Sequence, residues 1–325
     1  MQVDAGCASW TIRNSCAKLP GVRLWIVVLF LLAPISMQAQ ECMITLPVGI
    51  FSKDGLRIPA LGPKDFLITV DKLPIQSTES SFLKVKRFVV VLDASPSMRG
   101  ESIPADLPFE FARAVALRLI ALSPAESSIG LITFGSGATA RMQLTADHSR
   151  INQAVLAAAG ENRKGQSPMW DSLAEAHKLL VPIQPGDFVV VLTDGGSNSD
   201  NLQWQDIAKL FMQDGVRVFP IILTQETPRT LEEYYGPNET DRLARQTGGL
   251  QLGIDIPTRR RDLSLDQPAE TVATRTLNLA GSYYGLRLRS DRKTEGKRLK
   301  VKLVDPIAKI TLMHPEKLPS CQTNP

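Results

Sequence analysis

Two aspartates and three serines have the types and spacing to hold a hard cation. Asp93, Ser95 and Ser97 alternate along "LDASPSM", Ser167 follows Gly165-Gln166, and Asp194 opens "DGG" after the run "FVVVLT". Alternate residues of an extended segment point the same way, so Asp93, Ser95 and Ser97 can face one point. Such an all-oxygen set with room for water favours Mg²⁺, with Mn²⁺ acceptable, over Zn²⁺. Five groups, some acting through water, leave one position for an acidic group from another molecule. Each residue also has a local reading. Ser167 before Pro168 is a good helix N-cap, Asp194-Gly195-Gly196 is a turn, and Ser95 or Ser97 caps a helix beginning near Pro104.

Catalytic readings of the same residues lack parts. A haloacid-dehalogenase-like phosphatase wants a second aspartate where Ser95 stands, and no GxxxxGK[ST] loop is present to cradle a nucleotide. There is no G-x-S-x-G elbow, a base could come only from His148, His177 or His314, and His177 lies mid-helix beside apolar Ala176, where a surface or core role is the better reading. The expectation is a protein that is not an enzyme, with a hydrolase as the weaker alternative.

The elements that must position these residues are legible between Arg87 and Gly253. Apolar runs "RFVVVL", "IGLITF", "FVVVLT" and "VRVFPIIL" read as central strands covered on both faces. Between them, Phe109, Ala112, Val115, Ala116 and Leu119 recur at helical spacing, as do Met169, Leu173, Ala176 and Leu180. Strands alternating with helices predict an α/β fold with a doubly wound, mostly parallel sheet. "ATARMQL" reads as an edge strand antiparallel to "IGLITF". Ligands of such sheets sit beyond the carboxyl ends of the strands, which is where all five candidate residues converge.

On either side the pattern changes to alternation with turn residues, in "MITLPVGIF", "DFLITV" and "LPIQST" before the domain and "SYYGLRLRS", "KRLKVKLV" and "AKITLM" after it. Neither flank can bury a core alone, so the two are expected to pair into one small β-sandwich with the α/β domain inserted. The boundaries read as 41–85 plus 275–325 for the sandwich, 86–256 for the α/β domain, and 257–274 for a polar linker containing "PTRRRD".

The segments "VVVLDASPSM", "GQSPMWDSL" and "VVVLTDGG" resemble the three parts of a metal-ion-dependent adhesion site (MIDAS) in a von Willebrand factor type A (VWFA) domain. The resemblance implies a Rossmann-like domain binding magnesium and serving protein–protein interaction or cell adhesion. Ser95 and Ser97 would then ligate the ion directly, with Asp93 and Asp194 acting directly or through water. That family usually has threonine where Ser167 stands; a hydroxyl is retained, next to Pro168. The flanks, "VGIFSKDGLRIPALGPKDFLITVDKLPIQ" and "YYGLRLRSDRKTEGKRLKVKL", resemble the bacterial, Acidobacteria-type VWFA-related family. Its members are mostly exported proteins. A structural interaction module with a degenerate metal site is the alternative.

The first 40 residues read as a signal peptide: Arg23, the apolar run "LWIVVLFLLA", then Ser36, Gln38 and "AQ". The run is too short to span a bilayer, which needs about 20 residues. Residues 1–21 are surplus to that arrangement, which points to translation starting at Val22. Without residues 1–40 the chain keeps 34 basic and 32 acidic residues, a near balance that gives nucleic acid no hold. The expected localisation is exported: periplasmic, cell-surface or secreted. Cys7 and Cys16 would be lost with the leader, leaving Cys42 and Cys321 as a disulfide candidate, with two free thiols as the alternative. Glu41 occupies a place where a lipid-attachment motif wants a small residue, which argues against lipidation of Cys42.

Overall fold

The computed structural model describes residues 41–52, 58, 61–99, 107–135, 141–158, 167–224, 231–256, 264–307 and 310–321. The signal-peptide reading lies outside the described residues. Four strands precede the inserted domain: β1 (Glu41–Ser52), β2 (Phe66–Val70), β3 (Leu73–Ile75) and β4 (Ser77–Phe82). The domain follows, with β5 (Arg87–Asp93), α1 (Pro96–Arg99), α2 (Leu107–Leu122), β6 (Ser128–Phe134), β7 (Arg141–Thr145), α3 (His148–Ala157) and α4 (Met169–Leu180). It continues through β8 (Phe188–Thr193), α5 (Trp204–Asp214), β9 (Arg217–Thr224), α6 (Leu231–Thr247), β10 (Leu252–Asp255) and α7 (Asp266–Ala280). The last strands are β11 (Tyr283–Asp291), β12 (Leu299–Leu303) and β13 (Ile310–Met313).

The central sheet has the order β10-β9-β8-β5-β6-β7, and every pairing is parallel except β6 with β7. β5 is apolar on both faces because both are covered. Phe88, Val90 and Leu92 pack with Phe109, Val115 and Leu119 of α2, while Val89 and Val91 pack with Met169 and Leu173 of α4 and Phe211 of α5. The sheet grows outward from β5 in both directions, through β6 on one side and β8 on the other. That reversal is the topological switch point, where strand ends diverge and leave a crevice. The antiparallel edge strand β7 covers the last four residues of "ATARMQL" and Thr145; residues 138–140 lie outside the described residues.

The flanks interleave as the alternation predicts. β1 pairs antiparallel with β11 from Glu41↔Asp291 to Gly49↔Tyr283, and the sheet order is β13-β1-β11-β4. A second sheet, β12-β2-β3, joins the other strands of the two flanks. Ile44, Leu46, Val48, Ile68, Val70, Leu286, Leu288 and Val301 close the core between them. Each flank thus supplies strands to both sheets, and neither sheet exists without the other flank.

Two segments differ from the sequence reading. The stretch 257–274, read as linker, overlaps α7, which buries Ala269, Val272 and Ala273 in the core that α2 also lines. Small buried residues on an otherwise polar helix give little apolar periodicity, which is why the segment reads as a connection. Residues 257–263 of it lie outside the described residues. Helix α6 was not foreseen either, because Gly236-Pro237 within it reads as a turn.

The run "VRVFPIIL" hides a cation. Arg217 opens β9 at 1% exposure, donates to the carbonyl oxygens of Ala280 (2.9 Å) and Gly186 (2.7 Å), and stacks 4.2 Å from the Tyr283 ring. Burial lowers its pKa to about 10. Tyr283 opens β11 and its hydroxyl donates to the Gly248 carbonyl at 2.5 Å, so the Arg217–Tyr283 pair ties the α/β domain to the sandwich. Cys42 of β1 and Cys321, beyond β13, are joined as a disulfide with a Cα–Cα distance of 5.7 Å.

Candidate functional site

β5 and β8 are neighbours, so their last residues deliver Asp93 and Asp194 to the same edge of the sheet. Asp93 is fully buried. One of its oxygens accepts from the Ser95 backbone N–H at 2.8 Å, and the other from the Thr193 hydroxyl at 2.6 Å. The Ser95 and Ser97 hydroxyls lie 3.0 Å apart at the start of α1. The Asp194 Oδ1 accepts from the Gly196 N–H at 3.0 Å, while its Oδ2 is buried with no hydrogen-bond partner.

The electrostatics show two acids forced together. Burial, and then the charge of Asp194, push the Asp93 carboxyl up to about 8. Burial also raises Asp194; the Ser97 hydroxyl and the Gly196 N–H oppose this, and the Glu233 charge adds to it. An orphaned carboxylate oxygen in the interior costs free energy unless a proton or cation meets it. The donor set is all oxygen, and a hard divalent ion is the group that would answer both the repulsion and the orphaned atom.

Ser167 joins the cluster through Gly196. It is 5% exposed, and its hydroxyl donates to the Gly196 carbonyl at 2.9 Å, two residues after Asp194. The oxygen keeps acceptor capacity after that donation. Its reading as the N-cap of α4 is corrected by the structure. Pro168 holds the cap position without a side-chain bond, and the Ser197 hydroxyl accepts from the Met169 N–H at 3.1 Å instead. Ser95 directly precedes α1 and Ser97 lies within it, while Pro104, where the sequence reading started a helix, lies outside the described residues.

Sequence reasoning missed two groups. Thr193 clamps Asp93 across the two strand ends and accepts from the Gly195 N–H at 3.0 Å; its signal was a hydroxyl directly before Asp194. Glu233 comes from α6, whose early turns pack on the Asp194 loop: a Cβ on Gly236 would stand 1.7 Å from the Gly195 carbonyl oxygen. Gly195 itself has φ +96°, a conformation that favours glycine. The histidines lie elsewhere. His148 contacts the Ser127 carbonyl at 3.0 Å, His177 pairs with Asp214 at 2.7 Å, and His314 accepts from the Val301 N–H at 3.3 Å. Cys42, Glu295 and Cys321 also gather ligand-type atoms within 4.8 Å of one another, but the two sulfurs are bonded to each other.

A doubly wound sheet with an oxygen cluster at its switch point defines an α/β domain built to present a site at one edge. Residues 88–246 match the model of the von Willebrand factor type A domain, and the chain carries such a domain. Among solved structures it is similar to the conserved hypothetical protein BatB from Bacteroides thetaiotaomicron at 17% identity and TM-score 0.45, covering 60% of this chain and 98% of that one. It is also similar to an aerotolerance-related membrane protein from Bacteroides fragilis, at 16% identity and TM-score 0.43, over 59% and 98% of the two chains. The SpRpn10 VWA domain is a third, at 16% identity and TM-score 0.41, over 56% and 93%. A comparison with the curated proteins found no match. Among the described residues, no helix is long and apolar enough to cross a membrane.

Proposed function

We propose that this is an exported, non-enzymatic adhesion protein of the Acidobacteria-type VWFA-related family. In this reading it holds Mg²⁺, or Mn²⁺, at Asp93, Ser95, Ser97, Ser167 and Asp194. The bound ion supplies a positive centre for an acidic group of a protein partner. Asp93 and Asp194 supply the charge, Ser95 and Ser97 the hydroxyl oxygens, Thr193 fixes the Asp93 carboxylate, and Ser167 steadies the Asp194 loop through Gly196. The observation that carries this reading is the buried, unpartnered Asp194 Oδ2 beside the equally buried Asp93. The positions of the three histidines, each engaged away from the cluster, favour partner capture over hydrolysis.

Titrating Mg²⁺ while following thermal unfolding tests the reading, since a ligand bound only by the native state raises the midpoint with concentration. At 100 times the dissociation constant the stabilisation is about 2.7 kcal/mol. Asp93→Ala should abolish the shift. An unchanged midpoint for the native protein, or an equal shift for the variant, sinks the metal site. An interaction module with a degenerate site would then remain. That second reading draws on Ser167, which stands beside Pro168 where the family usually has threonine.

A further inference from the structure

Helix α6 meets the Asp194 loop at close range. The Gly236 backbone lies against Gly195, and one turn earlier the Glu233 side chain faces the same loop, because residues three apart share a helix face. A Cβ on Gly196 would lie 3.7 Å from Glu233 Cγ and 3.4 Å from Asp194 Oδ1, so the two acids flank one point. Glu233 is half-buried there, whereas its neighbour Glu232 is exposed. An acid from a separate helix is thus brought to the edge of the sheet that already carries the buried carboxylates of Asp93 and Asp194.

The turn that carries Glu233 is weakly held. Pro237 has no N–H, so the helical bond it would donate to the Glu233 carbonyl is missing. Leu231, Tyr234 and Tyr235 of the same turn are exposed at 72%, 60% and 56%, so moving it uncovers little core. A carboxylate there can leave and be replaced by another carboxylate with no change in charge at the ion.

We propose that Glu233 is an internal ligand of the cation, filling the position otherwise open to a partner's acidic group, so that capture proceeds by exchange of one carboxylate for another. This rests on the cation site proposed above. It makes the resting site closed, and gives the early turns of α6 the part of a displaceable cover.

Mn²⁺ serves as the probe, with affinity and the number of metal-bound waters read by water-proton relaxation on the native chain, Glu233→Gln and Glu232→Gln. Glu233→Gln should weaken Mn²⁺ binding about tenfold or more and add one bound water, while Glu232→Gln matches the native chain. Acetate should then bind the Mn²⁺-loaded Glu233→Gln protein more tightly than the native one. Equal affinity and water count in native and Glu233→Gln would overturn the role of Glu233 and leave the cation site standing. Weaker binding without the extra water would reduce Glu233 to a distant charge and also overturn it. If no form binds Mn²⁺, the cation reading falls and the internal ligand with it.

Discussion

Burial and mutual repulsion raise both Asp93 and Asp194, so the pair favours a proton that a bound cation would have to displace. With the Asp93 carboxyl pushed up to about 8 by burial and by Asp194, the metal-free pair is expected to carry a proton at neutral pH. Uptake of Mg²⁺ at pH 7 should therefore release protons, and affinity should fall as pH falls below 8. Calorimetry in two buffers of different ionisation enthalpy reads this directly; identical heats would refute it. Of the residues at this edge, Asp93, Ser95, Ser97 and Asp194 were legible because their spacing and place after apolar runs are local facts. Thr193 and Glu233 were not, since the bond from Thr193 to Asp93 spans 100 positions and Glu233 arrives from a helix masked by Gly236-Pro237. Ser167 was legible as a hydroxyl but ambiguous in role, because its partner Gly196 is a matter of tertiary structure.

At the scale of elements, the contact of α6 with the Asp194 loop depends on a missing side chain. Gly236→Ala would drive a Cβ into the Gly195 carbonyl and should cost about 1–3 kcal/mol of stability. It should also weaken Mg²⁺ binding, because the loop that moves carries Asp194. Urea unfolding with and without Mg²⁺ measures both effects, and a neutral variant would show that the contact yields freely. The segment before β13 and after it carries a different sensitivity. Burial lowers the pKa of His314 from 6.5, against Pro315 and Glu316, which favour the charged form. The neutral ring fits its partners, with Nε2 accepting from Val301 N–H and Nδ1 facing the Pro315 carbonyl at 2.8 Å. The unfolded chain therefore binds the proton more readily, so this contribution to stability is present above about pH 6.5 and is lost as pH falls. Thermal midpoints should drop between pH 7 and pH 5 more for the native chain than for His314→Gln. The strands and most helices of the α/β domain were readable from periodicity, since β5, β6, β8 and β9 are apolar on both faces. α7 was not, because alanine makes up half of its buried face and a threonine interrupts the rest.

For the molecule as a whole, the polar contact that joins the α/β domain to the sandwich was invisible to pattern, whereas the Cys42–Cys321 pairing was not. Arg217 sits in a run that reads as a plain buried strand, and only its distant partners, the Gly186 and Ala280 carbonyls and the Tyr283 ring 66 positions on, explain a charge there. Arg217→Ala leaves the Gly186 and Ala280 carbonyls without their donor and should destabilise the protein by about 3–5 kcal/mol. Guanidinium unfolding checks the loss, and a change within 0.5 kcal/mol, the usual range for surface substitutions, would refute it. The pairing of the flanks, by contrast, followed from their small size and alternation. The Cys42–Cys321 disulfide, across a sequence separation of 279, fastens that sandwich, with β1 at one end of the bond and the tail beyond β13 at the other. It makes everything between those cysteines a covalent ring. If the chain is pulled from segments outside that ring, tension passes from one sulfur to the other and the α/β domain carries none of it. A pull on the α/β domain itself would instead reach the sandwich through the two backbone connections and the Arg217–Tyr283 contact beside them, so the bond between the cysteines shields the domain from only one direction of load.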